Sequence, residues 1–248
     1  LSNNKVTLDF KNINSSQSKR DEFFYLILTT INTKMKLLKI INHPLVNYYL
    51  STMRDKKTGM KEFKSSLDKV SYILAVEAYS SLAEETRTIN TPYKKIAGSK
   101  IKDKVIILPI LRAGLGLTKG FVDLYPEVIT SHIGIYRDEE SLKPVKYYFR
   151  FPKIKDKQNL NVIILDPMIA TGGSVIFTIE YLLNMGIRKI RVASLLAAPE
   201  GINAIEKRFN KNEKKFMEIL TCSLDEKLND KGYIVPGLGD AGDRMFGT

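Results

Sequence analysis

The sequence predicts an α/β protein built on a central parallel sheet flanked by helices. Three observations carry this. Beyond Lys102, short apolar runs alternate with stretches of helical period, the signature of strands joined by crossover helices. Two runs, Val105-Ile106-Ile107-Leu108 and Val162-Ile163-Ile164-Leu165, are unbroken rather than alternating, as strands buried on both faces are. The 248 residues, 44% hydrophobic and 27% charged, sit near globular averages and suffice for a sizeable core.

The elements follow in chain order. Residues 1–20 are rich in Asn, Ser and Lys without sustained period, a polar arm ahead of a single domain over 21–248. Phe63, Leu67, Val70, Leu74, Ala78 and Leu82 recur at steps of three and four, predicting a long amphipathic helix over Lys61 to Glu85. Thr86 to Ile101, with Thr91-Pro92 between β-branched residues, predicts a hairpin protruding from the body. Strands are expected at 105–108, 129–135, 162–165, 190–197 and 216–222, and helices at 113–124, 173–185 and 199–209. Tyr233 to Thr248 is glycine-rich and lacks a period, which predicts a shaped loop.

Lys and Arg number 39 against 27 Asp and Glu, a net charge of +12. Nucleic acid, phosphorylated ligands and acidic surfaces are the partners such a balance suits. Residues 1–100 hold 17 of the basic and 9 of the acidic side chains, so the remainder is nearly balanced. The basic run from Lys143 to Lys157 reads as a solvated loop. Within it, Tyr147-Tyr148-Phe149 reads as an arm or subunit contact ahead of a nucleic-acid patch. His43 reads as a helix-entry residue and His132 as a core residue. Cys222 is the single cysteine, which excludes an intrachain disulfide and a zinc ribbon and fits a reducing cytoplasm. No stretch approaches the ~18 apolar residues of a membrane span, and residues 1–20 are too polar for a signal-peptide core.

Four segments carry chemistry. In Val162 to Ser174, a buried strand ends at Asp166, and Pro167, Met168, Ile169, Ala170, Thr171, Gly172, Gly173 and Ser174 lead into a helix. Free backbone N–H groups at a positive helix end, with hydroxyls beside them, grip phosphate; an ordinary capped βα turn is the plainer alternative. No Gly-x-x-x-x-Gly-Lys-Ser/Thr string occurs, so a Walker site is excluded. Leu108 to Gly116 is a second strand end, with Arg112 at its mouth, where a planar charged fork suits phosphate oxygens. Ile133 to Glu140 ends a third strand at Arg137. In Gly232 to Arg244, Gly237 to Gly242 matches Gly-x-Gly-x-x-Gly, yet only six residues follow, too few for a dinucleotide-binding unit. A rigid Gly/Pro loop beside Tyr233 suits a planar heterocycle instead.

In this order, Pro109 to Gly116, Tyr136-Arg137, Asp166 to Ser174, Ala198-Pro199-Glu200-Gly201 and Tyr233 to Thr248 resemble the uracil phosphoribosyltransferases, over roughly His43 to Thr248. The resemblance implies the type I phosphoribosyltransferase fold, with a small hood drawn from about 21–60 and 223–248. It implies transfer of phosphoribose from 5-phosphoribosyl 1-diphosphate to uracil, giving UMP. Ala170 to Ser174 would cradle the 5′-phosphate, Asp166 would face the ribose hydroxyls, and Arg112 and Arg137 would hold the diphosphate. Uracil would be read by the backbone of Ile234 and Gly239 to Ala241, with Tyr233 beside it, and Asp240 would contact the phosphoribosyl diphosphate or its metal. Mg²⁺ is expected through diphosphate and water, without direct protein ligands. A homodimer or homotetramer and GTP as an activator are further implications. The alternatives are an RNA-binding regulator of the same fold and an inactive partner domain of a uridine kinase fusion.

Overall fold

The computed structural model describes residues 37–137, 144–157 and 159–248; the polar arm and the start of the basic run lie outside them. The strands are β1 (Leu38–Ile40), β2 (Glu84–Asn90), β3 (Lys95–Ile101), β4 (Lys104–Leu111), β5 (Ile129–Thr130), β6 (His132–Arg137), β7 (Pro144–Arg150), β8 (Leu160–Leu165), β9 (Met168–Ile169), β10 (Ile190–Ala197), β11 (Met217–Leu224), β12 (Lys227–Leu228) and β13 (Ile234–Val235). The helices are α1 (Pro44–Arg54), α2 (Met60–Tyr79), α3 (Thr118–Leu124), α4 (Gly173–Asn184), α5 (Pro199–Arg208) and α6 (Ala241–Phe246), with 3₁₀ turns at Ala113–Leu117 and Glu213–Phe216.

The main sheet runs β1-β11-β10-β8-β4-β6-β7, with β5 on β4 and β9 on β10. Every pairing in it is parallel except β6–β7. Val105, Ile107, Ile163, Leu165, Ala193, Leu195, Leu220 and Cys222 share one core with α1, α2 and the turn before α3. The intervening Ile106, Leu108, Val162 and Ile164 point to the opposite face by strand alternation and are equally buried. The unbroken apolar runs thus mark strands covered on both faces. β2 and β3 pair only with each other, antiparallel from Glu84↔Ile101 to Asn90↔Lys95, and form the expected hairpin. No described helix is long and apolar enough to cross a membrane.

Four expectations are corrected. The helix expected to reach Glu85 stops at Tyr79. The Asp103 carboxylate accepts from Ala83 N at 2.9 Å, and Ala83 O accepts from Lys102 N at 2.8 Å, so pairing at the hairpin base overrides the helical period. Leu82 still packs against the core, from a turn. The basic run is strand as far as Arg150: a register shift at Tyr147 turns both Lys146 and Phe149 towards Tyr181, the Phe149 ring centroid 4.6 Å away, while Tyr147 and Tyr148 stay exposed. His132 is only half-buried, because edge strand β7 alone flanks β6 on that side. The segment 233–248 is not all loop: Asp240 accepts from Asp243 N at 2.9 Å and caps α6, and left-handed Gly247 ends it. His43 caps α1 through Nδ1, which accepts from Leu45 N at 3.1 Å.

Candidate active site

In open α/β sheets, ligands bind beyond the carboxyl ends of the strands, and the motif loops lie there. β8 hands over to Asp166, whose N donates to Ala193 O at 3.1 Å. Pro167 O then accepts from Leu195 N at 3.0 Å and Leu196 N at 3.1 Å, and Met168-Ile169 pair with Leu196-Ala197. This strap fixes the first half of the loop to β10. The second half opens α4 at Gly172, whose φ of +79° is left-handed and whose side no cap occupies. The first-turn amides of α4 therefore have no side-chain cap. Asp166 and Met168 to Val175 enclose a cavity of about 120 Å³. Thr171 is exposed, and Gly173 and Ser174 are half-buried.

Asp166 is partly open as a residue, but its carboxyl lies deep among protein atoms. Burial pushes its pKa up to about 7, against a weaker lowering by the Met168 amide, which donates to it at 3.4 Å.

The Arg112 turn and the C-terminal loop close on this cradle. A Cβ at Gly114 would lie 2.3 Å from Leu165 O, and a Cβ at Gly242 would lie 4.0 Å from Ala113 Cβ. The turn after β4 is thus wedged between the end of β8 and the start of α6. Arg112 is exposed, makes no ion pair among the described residues, and stands 5.8 Å from the Phe246 ring. Arg137 is the last residue of β6, one strand farther from β8; its side chain lies outside the described residues. In the C-terminal loop Tyr233, Gly239 and Asp240 are exposed, while Ile234 and Ala241 are buried. Leu228 N donates to Glu200 at 3.0 Å, tying this loop to α5.

Three residues that sequence reasoning passed over shape the C-terminal loop. Arg54 forms a two-point ion pair with Asp225, at 2.6 and 2.7 Å, and Arg244 bonds carbonyls of the α1–α2 segment. Burial raises the Asp225 pKa, but hydrogen bonds and charge from Arg54, with Ser223 and Gly237, outweigh it and hold the carboxyl below its ordinary range. Leu224-Asp225 has the same strand-then-carboxylate form as Leu165-Asp166, which was a usable signal. The segment Ala198 to Gly201 packs directly behind the 170–174 loop: a Cβ at Gly172 would meet Gly201 O at 2.8 Å, and one at Gly201 would meet Ala170 O at 2.3 Å.

A larger cavity of about 350 Å³ lies at the amino ends of β8, β10 and β11. In its lining Lys189 pairs with Asp103 at 2.6 Å and Arg191 with Glu218 at 2.8 Å, leaving Arg188 and Lys215 as the excess positive charge, and it is remote from the motif loops.

A family model described as uracil phosphoribosyltransferase matches residues 40–248. A uracil phosphoribosyltransferase of Fervidobacterium nodosum is 45% identical over 213 residues, covering 86% of this chain and all of the relative. One from Shouchella clausii is 43% identical over 219 residues, with the same two coverages. A solved protein of Aquifex aeolicus superposes with a TM-score of 0.77 at 34% identity, over 85% of this chain and 98% of the other.

Proposed function

The chain belongs to the uracil phosphoribosyltransferase family, whose reaction joins uracil to 5-phosphoribosyl 1-diphosphate to give UMP and diphosphate, and we propose how its residues divide that chemistry. The convergence of three loops carries the assignment: the uncapped start of α4, the Arg112 turn and the C-terminal loop meet at one end of the sheet. Ala170 to Ser174 hold the 5′-phosphate with the α4 amides and the Thr171 and Ser174 hydroxyls. Asp166 accepts from the ribose hydroxyls, on a loop whose course Pro167, Met168 and Ile169 set. Arg112 and Arg137 take the diphosphate. Tyr233 lies against the uracil ring, whose edge the backbone of Ile234, Gly239, Asp240 and Ala241 reads, and the Asp240 carboxylate meets the phosphoribosyl diphosphate or its metal.

As the bond from C1 to the diphosphate breaks, positive charge grows on the ribose and negative charge on the leaving group. The protein's task is therefore electrostatic stabilisation and alignment of N1 with C1. Arg112 and Arg137 face the growing negative charge, and Asp166 lies on the ribose side. Phosphoribosyltransferases generally use Mg²⁺ with this substrate. Such an ion would be held chiefly by diphosphate oxygens and water, with the Asp240 carboxylate within its reach. Bound there, Mg²⁺ would neutralise part of the leaving-group charge. Cytosine reverses the donor and acceptor at ring position N3 and exocyclic position 4. Backbone groups matched to uracil would be left unpaired by it, at ~1–3 kcal/mol per group.

The test is UMP formation with Mg²⁺ and 5-phosphoribosyl 1-diphosphate across uracil, cytosine and purine bases. Turnover confined to uracil is expected; turnover of a purine but not uracil would overturn the assignment of the base loop. The relatives named above give no support to an RNA-binding regulator or an inactive fusion domain. A homodimer or homotetramer, GTP activation and a cytoplasmic location belong to the same reading. Light scattering and assays with and without GTP check the first two.

A further inference from the structure

Gly237 is gripped by both of its backbone polar groups. Arg54 Nη1 donates to Gly237 O at 2.8 Å, and Gly237 N donates to Asp225 Oδ2 at 2.9 Å. The same two side chains are locked together at 2.7 Å (Nη1 to Oδ2) and 2.6 Å (Nη2 to Oδ1). Ser223 Oγ completes the network, donating to Asp225 Oδ1 at 2.8 Å and accepting from Arg54 Nη2 at 3.1 Å. The Asp225 side chain is 2% exposed, so the network works where water does not compete for its bonds. One residue on, Leu238 O accepts from Arg244 Nη1 at 3.0 Å. Arg244 is itself fixed by Asp55 O at 2.9 Å, by Thr58 O at 3.0 Å and by the Phe63 ring, 4.6 Å away.

A trans peptide places its C=O and N–H on opposite sides, and the peptides after Gly237 and Leu238 are trans. With the two carbonyls held by Arg54 and Arg244, each N–H, of Leu238 and of Gly239, points away from the arginine that holds the carbonyl of its own peptide. Among the described residues neither donates to a protein acceptor. Two adjacent free amides of fixed direction suit the carbonyl oxygens on a pyrimidine edge.

We infer that Arg54, Asp225 and Arg244 are positioning residues that aim the Leu238 and Gly239 amides at the base without touching it. This rests on the reading that residues 233–241 take uracil. The arginine fork is needed because one head must bond Asp225 at two points and a carbonyl at a third, which a lysine ammonium on a flexible stem does not reproduce.

The experiment is steady-state kinetics on full-length Arg54→Lys, with uracil and 5-phosphoribosyl 1-diphosphate varied separately, at a temperature well below the variant's Tm. The KM for uracil is expected to rise tenfold or more while that for 5-phosphoribosyl 1-diphosphate stays within twofold. A lower Tm with neither KM changed would reduce the pair to a structural role, and a parallel rise in both KM values would equally overturn the inference. Should Arg54→Lys fail to fold, Asp225→Asn and Arg244→Lys are read by the same split. Tyr233→Ala separates the two levels. If it leaves the uracil KM unchanged, the base-loop reading fails; if it raises that KM and Arg54→Lys does not, only the positioning role fails.

Discussion

Replacing Gly201 with Ala tests whether the proposed phosphate cradle of Ala170 to Ser174 depends on the helix packed behind it. Gly201 lies in the first turn of α5 and is buried. A Cβ there would meet Ala170 O at 2.3 Å, Ile169 O at 3.0 Å and Ala170 C at 3.1 Å. All three are backbone atoms, so no flexible side chain can swing aside. Moving from 2.3 Å to an ordinary contact near 3.4 Å displaces the Ala170–Thr171 peptide by about 1 Å. That peptide carries the Thr171 amide into the cradle. A misplacement of about 1 Å in substrate alignment costs on the order of 10²-fold in rate, so kcat/KM for 5-phosphoribosyl 1-diphosphate is expected to fall about a hundredfold. Overpacking of ~1–3 kcal/mol should lower Tm by roughly 2–12 °C in a chain of this size. The opposite sign is available: in an open helix position Ala is favoured over Gly by ~1 kcal/mol. A higher Tm with kcat/KM within threefold of the parent would show that α5 does not brace the loop.

Two further outcomes concern carboxylates. With its pKa near 7, Asp166 is protonated on the acid side, so kcat/KM for 5-phosphoribosyl 1-diphosphate should climb between about pH 6 and 8, and Asp166→Asn should abolish that limb. The sign for stability is the reverse: a folded-state pKa above the ordinary 3.8 favours folding at low pH, a contribution lost as pH rises through 7. Asp166→Asn should therefore gain stability relative to the parent at pH 8 compared with pH 4, in thermal melts at both. Asp240→Ala should lower turnover by orders of magnitude, measured as UMP formed, and lower Tm by about 2–4 °C for the ~1 kcal/mol of a lost helix cap. Near-normal turnover would remove Asp240 from the reaction.

The sheet was legible because its central strands are covered on both sides: Val105 to Leu108 and Val162 to Leu165 have no polar alternative to offer. The end of α2 was not, since Leu82 continues the helical period and the competing bond comes from Asp103, twenty residues on. Helix α6 was not legible, because six residues bury too few side chains to show a period. The cradle and the Arg112 turn are local in sequence, so their shape could be read from glycines beside a strand end. The Arg54–Asp225 pair could not, because nothing near Arg54 names a partner 171 residues away.

That separation bears on the order in which the protein acquires its parts. Contacts between distant positions form late, after the entropy of closing the intervening chain has been met. The loop that presents Leu238 and Gly239 is set by Arg54, and by Arg244 reaching back to Asp55 and Thr58 across 189 and 186 residues. The hairpin of β2 and β3, by contrast, closes over a few residues. On dilution from denaturant, backbone structure should return ahead of base recognition, and the interval between circular dichroism and recovered activity would time the closing of the arginine clamp.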